Sequence, residues 1–155
     1  MSAKKNRAAF FDRDGTINVE KNYIFKIGDF EFINGILELI TEYQKAGFLI
    51  FIITNQSGLA RGFYSEKDYQ LLTSWMIGEF KSNKIEITKV YHCPHHPEIT
   101  GTCECRKPKP GMILQAIDEY NIDPTQSVVI GDKKSDILAG KNAGIGKNLY
   151  IQDIL

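Results

Sequence analysis

The segment Phe10-Phe11-Asp12-Arg13-Asp14-Gly15-Thr16 joins an apolar run to two carboxylates and a glycine. The apolar residues that lead into it predict a buried strand over residues 7–12. In an extended chain alternate side chains point the same way, so Asp12 and Asp14 are expected to face one pocket. Two carboxylates that close repel each other unless they share a cation or a proton. A hard divalent cation such as Mg²⁺, which prefers oxygen ligands, meets that requirement.

Two other interpretations of this acidic turn are an EF-hand calcium loop and a solvated surface turn. The calcium loop fails on spacing, because its required glycine would fall at Ile17. A solvated turn is disfavoured because the four apolar residues Ala8 to Phe11 lead directly into the acids. A metal-binding turn at the end of a buried strand is therefore the preferred interpretation.

The composition is that of a soluble globular protein, and we expect residues 1–155 to form a single domain. Hydrophobic residues make up 43% of the chain and charged residues 25%, and the formal net charge is zero. Neither nucleic acid nor an anionic membrane is therefore expected as a partner. The longest apolar run, Phe48 to Ile53, is too short for a bilayer, and the basic segment Met1 to Arg7 precedes no long apolar stretch. We expect a cytoplasmic monomer.

Predicted strands and helices alternate along the chain. The run Phe48 to Ile53 is continuously apolar, as in a strand buried on both faces of a parallel sheet. Ser65, with Asp68 three residues later, is typical of a helix start. This alternation predicts an α/β fold with a doubly wound parallel sheet. The predicted strands cover residues 7–12, 48–53, 87–91, 127–130 and 148–151, and the predicted helices cover residues 35–46, 65–80, 110–120 and 135–143.

Polar residues follow three of the predicted strands at the point where each strand ends. Asp12 and Asp14 end the first strand, Thr54 and Asn55 follow the second, and Asp132 follows the fourth. In doubly wound folds, ligands bind beyond the carboxyl ends of the strands. We therefore expect these residues to converge on one site at that edge of the sheet.

Four short motifs occur in the order typical of a known superfamily. They are Asp12-x-Asp14-Gly15-Thr16, Thr54-Asn55, Lys107 before a helix, and Gly131-Asp132-x-x-x-Asp136. Together they resemble the haloacid dehalogenase-like phosphotransferase superfamily over nearly the whole chain, which implies a Rossmann-like fold. By this resemblance Asp12 is the nucleophile that forms an aspartyl phosphate, and Asp14 is the general acid and base. An acid at position 14 goes with phosphatases, whereas a threonine there goes with ATP-driven pumps.

The resemblance also implies roles for the second and third motifs. The Thr54 hydroxyl would hold non-bridging phosphoryl oxygens, and Lys107 would neutralise charge on the transferred group. The alternative for Lys107 is an ordinary surface lysine, which its place between Cys105 and Pro108 disfavours.

A magnesium site is implied by the first and fourth motifs. Mg²⁺ would be bound by Asp12, the backbone carbonyl of Asp14, and Asp132. Asp136 is either a further magnesium ligand or an acid that orients the ligands. The alternative for Asp136 is a helix-start acid favoured by the helix dipole.

All three cysteines lie together with the three histidines in residues 92–106, which we call the Cys/His loop. Three thiols and one imidazole suit a closed tetrahedral zinc site, and an odd cysteine cluster favours a metal over disulfides. Cys93, His95, Cys103 and Cys105 are the predicted ligands, with His92 and His96 as alternatives to His95 by proximity alone. With no open position, such a zinc site is expected to be structural. The alternative is a chance group of reduced cysteines.

The Cys/His loop and the following Arg106-Lys107-Pro108-x-Pro110-Gly111 narrow the resemblance to capless heptose bisphosphate and histidinol-phosphate phosphatases. The runs Asp12 to Asn18 and Thr54 to Gly62 favour the heptose bisphosphate family. This resemblance implies removal of the C7 phosphate of a heptose 1,7-bisphosphate, a small phosphorylated sugar, in nucleotide-activated heptose and lipopolysaccharide synthesis. Arg106 would contact the phosphate that is not cleaved. The implied substrate-binding residues are Glu20, Lys21, Asn22, Tyr23, Thr54, Asn55, Gln56, Ser57, Arg106 and Lys133.

The sequence departs from this family at two places. Only seven residues separate His95 from Cys103, a short version of a loop that is often longer in relatives. The chain also stops soon after Tyr150, where relatives usually continue through another strand and helix. Neither departure removes a motif residue.

A separate lid domain is not expected, because only about twenty residues lie between Thr16 and the predicted helix at Gly35. An open site could also admit a polymer end, as in related DNA 3′-phosphatases, but the zero net charge disfavours that substrate. The nearer alternative is histidinol-phosphate hydrolysis. A non-catalytic zinc-binding or protein-interaction domain is disfavoured because every motif position carries a chemically competent residue.

Overall fold

Five parallel strands form one sheet in the order β3-β2-β1-β4-β5. The computed structural model describes residues 4–155, so the first three residues of the basic N-terminal segment lie outside the described part. The strands are β1 (Ala8–Phe11), β2 (Leu49–Asn55), β3 (Ile87–Cys93), β4 (Val128–Gly131) and β5 (Lys147–Tyr150).

The helices connect these strands and cover both faces of the sheet. They are α1 (Ile36–Lys45), α2 (Glu66–Ser82), α3 (Pro97–Thr100), α4 (Gly111–Tyr120) and α5 (Lys134–Asn142), with short 3₁₀ turns at Ile27–Asp29, Pro124–Gln126 and Ile151–Asp153. Each predicted strand and longer helix is confirmed to within two residues. The sequence analysis missed α3, because a helix of four residues is too short to show a periodic pattern.

Alternate residues of the central strands pack into two separate hydrophobic layers. Ala9 and Phe11 of β1 belong to the layer that contains α1 and α2, whereas Ala8 and Phe10 belong to the layer that contains α4. All four side chains are fully buried. Burying a phenylalanine contributes about 1.5–3 kcal/mol, so β1 is firmly anchored from both sides. The anchored strand fixes where the residues after it, Asp12 onward, emerge.

The start of α2 follows the predicted capping pattern. The Ser65 hydroxyl accepts the backbone N–H of Asp68 at 3.1 Å, and the Asp68 carboxylate accepts the backbone N–H of Ser65 at 3.0 Å. A cap of this kind stabilises a helix by about 1 kcal/mol. It also fixes where the loop that precedes α2, residues 56–64, meets the helix.

No lid domain lies over the carboxyl edge of the sheet in residues 4–155. The connection from β1 to α1 contains only the 3₁₀ turn Ile27–Asp29, and its Phe30 and Phe32 pack against Trp75 of α2. The capless architecture is therefore confirmed. Among the described helices, none has both the length and the apolar character needed to cross a membrane.

Candidate active site

A cleft of about 550 Å³ opens at the carboxyl edge of the sheet, where the predicted residues converge. A deeper pocket of about 70 Å³ adjoins it and is lined by Asp12, Asp14, Glu20, Thr54, Asn55, Lys107, Lys133, Ser135 and Asp136. The wider cleft adds Asn22, Tyr23, Gln56, Ser57, Arg61, Tyr64, Arg106 and Pro108. The segments that follow β1, β2, β3 and β4 therefore all contribute residues to one site.

A buried lysine lies at the centre of the deep pocket. Lys107 Nζ donates to Asp12 Oδ1 at 2.7 Å, to Asp136 Oδ1 at 2.6 Å and to the carbonyl of Ile53 at 3.0 Å. The side chain of Lys107 is only 3% exposed. An ammonium has three N–H donors, and all three are used here. The surface-lysine alternative for Lys107 is therefore wrong.

The lysine and its carboxylate neighbours shift one another's pKa. Burial raises the pKa of Asp12 well above its ordinary range, and the attraction of Lys107 only partly offsets this because Asp136 repels the same charge. Burial lowers the pKa of Lys107, but the attraction of Asp12 and Asp136 outweighs burial and leaves that pKa raised. Lys107 therefore remains a cation, while Asp12 lies in surroundings that need more positive charge to keep it ionised.

Asn55 holds the backbone of Lys107 in place. The Lys107 backbone N–H donates to Asn55 Oδ1 at 3.1 Å, and Asn55 Nδ2 donates to the Lys107 carbonyl at 3.3 Å. This pair of bonds joins the end of β2 to the segment before α4. A residue that the sequence assigned to substrate binding thus also positions the central lysine.

The Asp14 carboxylate has its own cation. Arg13 Nε and Nη2 donate to its two oxygens at 3.1 and 3.0 Å, and Asn18 Nδ2 and Gln56 Nε2 donate at 2.9 and 3.2 Å. Asp12 is instead paired with Lys107. Each carboxylate thus has a separate basic partner, which the sequence analysis did not anticipate.

Three carboxylates nevertheless form a group that could hold a metal ion. One oxygen each of Asp12, Asp132 and Asp136 lies within 4.8 Å of the others. With Lys107 as the neighbouring cation, these groups leave two negative charges when all are ionised, which suits a divalent ion. The buried Oδ1 of Asp132 has no hydrogen-bond partner among the residues that the structure describes. The donor set fits Mg²⁺.

Gly15 leaves room for the Asp132 carboxylate. A Cβ on Gly15 would lie 2.1 Å from Asp132 Oδ2, and the φ of Gly15 is +94°, which side chains other than glycine rarely adopt. The absence of a side chain at Gly15, in the first motif, therefore leaves the space that the Asp132 carboxylate of the fourth motif occupies.

Asp136 is held at the start of α5 and is almost fully buried. Its Oδ2 accepts the backbone N–H groups of Asp132 and Lys133 at 3.2 and 3.1 Å, and its Oδ1 accepts from Lys107. These bonds match the helix-start alternative, and they also connect Asp136 to the central lysine. Oδ2 of Asp136 therefore accepts two backbone bonds, whereas Oδ1 accepts only one, from Lys107. These bonds fit an orienting acid, and they leave Asp136 in the group of three carboxylates that could hold a metal.

The four predicted ligand atoms of the Cys/His loop lie together. The Sγ atoms of Cys93, Cys103 and Cys105 and Nδ1 of His95 are all within 4.8 Å of one another. Nδ1 of His95 is 3.5 Å from Cys93 and 3.3 Å from Cys105, and Cys103 is 3.6 Å from each of the other sulfurs. A tetrahedral zinc site with Zn–S bonds of 2.3 Å has sulfurs about 3.8 Å apart, which the two separations from Cys103 match. The sulfurs of Cys93 and Cys105 are closer, at 2.7 Å, and would have to move apart to bind zinc together. The donor types, three thiols and one imidazole, fit that metal.

The alternative histidines are occupied elsewhere. His92 Nε2 lies 3.1 Å from Glu66, and its ring packs on Tyr69. His96 begins α3 and accepts a backbone N–H from Glu98. Of the three histidines, the structure brings only His95 into the cysteine group.

The thiols of the Cys/His loop differ in acidity. Burial raises the pKa of Cys103, but hydrogen bonds from the Arg106 backbone and from the Cys105 and Cys93 side chains outweigh it and bring the pKa to about 7. Burial and the neighbouring Cys105 raise the pKa of Cys93. A metal binds thiolates, so Cys103 is the thiol that loses its proton most easily as a metal enters.

Most of the predicted substrate-binding residues line the cleft or the deep pocket. The exception is Lys21, which is exposed on the same loop but lines neither cavity. Sequence reasoning missed Arg61, Tyr64 and Ser135. Tyr64 is buried and donates to Gln56 Oε1. This bond fixes the side-chain amide of Gln56, whose Nε2 donates to Asp14. Arg61 could have been predicted as a cleft residue, because it lies within the run Thr54 to Gly62 that resembles the heptose bisphosphate family.

Comparison with known proteins identifies the class of protein. A family model described as HAD-hydrolase-like matches residues 104–152. The D,D-heptose 1,7-bisphosphate phosphatase of B. bronchiseptica, solved with magnesium and phosphate, superposes with a TM-score of 0.83 at 28% identity, over 91% of this chain and 78% of that one. The chain is a haloacid dehalogenase-like phosphatase by fold and motifs.

Two curated relatives define the narrower family. The D-glycero-alpha-D-manno-heptose-1,7-bisphosphate 7-phosphatase of Campylobacter jejuni is 50% identical over 96% of this chain and 84% of its own length. The D-glycero-beta-D-manno-heptose-1,7-bisphosphate 7-phosphatase of Haemophilus influenzae is 44% identical over 95% of this chain and 82% of its own length. The chain belongs to the D-glycero-D-manno-heptose-1,7-bisphosphate 7-phosphatase family.

Replacing Gly15 by alanine tests the contact between the first and fourth motifs. Gly15→Ala is expected to lower the free energy of unfolding by at least about 2 kcal/mol, because the new methyl group displaces Asp132 in addition to straining the backbone. Gly62→Ala is the matched control, since Gly62 has a φ of +74° and nothing within 4 Å of the added atom. That variant is expected to lose only about 1 kcal/mol. Equal losses in urea unfolding would contradict the predicted contact.

Proposed function

We propose that this protein hydrolyses the C7 phosphate of a D-glycero-D-manno-heptose 1,7-bisphosphate. The observation that carries the proposal is the buried Lys107 ammonium between Asp12 and Asp136, beneath a cleft with further cations at Arg106 and Lys133. A small sugar with two phosphates matches this division, with one phosphate deep and one at the mouth. The names of the relatives support the same substrate class.

Asp12 is the proposed nucleophile. Its carboxylate oxygen attacks the phosphorus atom, the bond from phosphorus to the sugar oxygen breaks, and an aspartyl phosphate forms. Water then attacks phosphorus and releases inorganic phosphate and the free carboxylate. The end of β1 holds Asp12 rigidly, which favours an in-line attack.

Asp14 is the proposed proton carrier. It would give a proton to the departing sugar oxygen and take one from the attacking water. Its carboxylate lines both the wide cleft and the deep pocket, where the leaving group must lie. The bonds from Asn18 and Gln56 support a fixed position for this side chain.

Thr54 and Lys107 are the proposed contacts to the non-bridging oxygens of the transferred group. Thr54 is buried at the end of β2, and its hydroxyl accepts from Gln56 Nε2 at 2.9 Å. Its own proton has only a long contact, 3.5 Å, with the Asn55 carbonyl, which it would exchange for a phosphoryl oxygen in the pocket. Asp12, Asp132 and the carbonyl of Asp14 would hold Mg²⁺, which supplies charge neutralisation when bound. Asp136 would orient this group.

The Cys/His loop is proposed to hold a structural Zn²⁺ through Cys93, His95, Cys103 and Cys105. The loop ends at Arg106, directly before Lys107, so a metal there would fix the start of the catalytic segment. Reduced thiols around a metal suit a cytoplasmic enzyme, which we propose to act as a monomer. The substrate sugar would be held by Glu20, Asn22, Tyr23, Asn55, Gln56, Ser57, Arg106 and Lys133, with Lys21 nearby.

Replacing the nucleophile tests the chemistry. Asp12→Asn is expected to lower kcat by at least about 1,000-fold, because an amide cannot form the acyl phosphate. Thermal stability is expected to be retained, since Lys107 keeps its bond to Asp136 and the pocket loses one of its repelling carboxylates. Asp118→Asn, at an exposed position of α4, is the control and is expected to retain full activity. Activity in Asp12→Asn near the unmodified level would refute this nucleophile.

Metal removal tests the two proposed ions separately. Brief EDTA treatment is expected to abolish phosphate release because carboxylates exchange Mg²⁺ quickly, and added Mg²⁺ should restore it. Zinc, measured by emission spectroscopy, is expected to remain bound longer because three thiolates and an imidazole enclose it. Activity that survives full magnesium removal would contradict the assigned site.

A substrate panel tests the function as a whole. Phosphate release is measured with both anomers of the heptose 1,7-bisphosphate and with histidinol phosphate at equal concentrations. The heptose bisphosphates are expected to be preferred because their second anionic group matches the cations at the mouth of the cleft, whereas histidinol phosphate carries a positively charged amine. Preference for histidinol phosphate would replace the proposed substrate.

A further inference from the structure

A second arginine reaches the mouth of the cleft beside Arg106. Arg61 follows β2, and its guanidinium lies 5.9 Å from the ring centre of Tyr23. Its Nη2 lies 3.0 Å from Nε2 of His96, and Nη1 of Arg106 donates to the carbonyl of His95 at 3.4 Å. Consecutive residues of the Cys/His loop therefore contact the two arginines of the cleft.

The imidazole of His96 has two contacts that compete. Its Nδ1 lies 3.2 Å from the backbone nitrogen of Glu98, which can only donate. A neutral imidazole carries one proton, so accepting from Glu98 places that proton on Nε2, facing a guanidinium that has no acceptor. With the proton on Nδ1 instead, Nε2 accepts from Arg61 and the bond from Glu98 is lost. The ring can satisfy only one of the two contacts by itself.

Both contacts are satisfied together when an acceptor oxygen bridges Arg61 and His96. Such an oxygen accepts from Nη2 of Arg61 and from Nε2–H of His96, while Nδ1 keeps the bond from Glu98. A phosphate oxygen suits this position best, because the guanidinium is always charged and its bonds to phosphate are charge-assisted. Arg61 is exposed at the mouth of the cleft, whereas Asp12 is buried in the deep pocket. The two residues would therefore contact different ends of one substrate.

We propose that Arg61 determines specificity by binding, together with Arg106, the phosphate that is not hydrolysed, and that His96 is its positioning partner. This inference rests on the proposed function, because it requires a substrate with two phosphates. The inference also gives the Cys/His loop a role in substrate binding, in addition to holding the proposed zinc ion. Through His95 and His96, the loop contacts both arginines at the mouth of the cleft.

Removing the guanidinium tests the proposal. The kinetics of Arg61→Gln are measured with heptose 1,7-bisphosphate and with heptose 7-phosphate, which share the scissile bond and differ only in the second phosphate. The KM for the bisphosphate is expected to rise about 10- to 100-fold with little change in kcat, the loss expected for a charged hydrogen bond. Both constants for the 7-phosphate are expected to stay unchanged, and Arg61→Lys should recover part of the loss.

Two further variants separate binding from a structural effect. His96→Asn retains an acceptor close to the position of Nδ1 for the Glu98 bond but lacks Nε2, so a smaller increase in KM for the bisphosphate is expected, with unchanged zinc content and Tm. Lys67→Gln removes one positive charge at an exposed position of α2 and is expected to change neither KM.

The outcomes distinguish this inference from the proposed function. If Arg61→Gln lowers kcat/KM equally for both substrates, or keeps the full preference for the bisphosphate, then Arg61 does not bind the second phosphate and the inference is overturned. If the unmodified protein itself shows no preference for the bisphosphate over the 7-phosphate, the proposed substrate and this inference both fall.

Discussion

The active-site edge of the sheet depends on the ammonium group of Lys107. It bonds to the carboxylate at the end of β1, to a carbonyl of β2 and to the acid at the start of α5. Removing an ion from water costs several kcal/mol, and a buried ion is tolerated only when its bonds are complete. Lys107 meets that condition because each of its N–H groups has an acceptor. The same bonds hold Asp12 and Asp136 at fixed positions, so the structural and catalytic requirements of the site coincide.

The position of Lys107 in turn depends on the chain that carries it. Lys107 follows the Cys/His loop, in which α3 is the only helix and the side chains from Pro97 to Thr100 are exposed. Such a segment has little apolar burial to offset the entropy of ordering it. Two features of the structure can offset this entropy cost. Asn55 clamps the Lys107 backbone directly, and the cysteine group two residues upstream could be closed by a metal. A metal at the loop would therefore affect chemistry that occurs at Asp12.

Sequence reasoning predicted what periodicity and motif order encode. The complete burial of Ala8 to Phe11 and the capping box at Ser65 were predictable because they depend on neighbours in the sequence. The pairing of Asp14 with Arg13 was missed, although an arginine between two acids after a buried strand was a visible signal. The clamp by Asn55 could not be predicted, since it joins residues 52 positions apart and depends on how two loops fold together.

An open cleft has to select its substrate with loops alone. Three loops meet at its mouth: the β1–α1 loop, the β2–α2 loop and the Cys/His loop. Tyr23 of the first packs on Phe63 of the second with ring centres 4.8 Å apart, and Arg61 of the second contacts His96 of the third. The cations Arg61, Arg106 and Lys133 share the lining with Asp14 and Glu20, so the positive charge is local and does not continue as a stripe across the lining. A polymer backbone needs such a continuous stripe, whereas a small sugar with two phosphates needs only a few converging donors. The charge pattern thus favours a compact bisphosphate over a nucleic-acid end, even though no lid within residues 4–155 excludes the larger molecule.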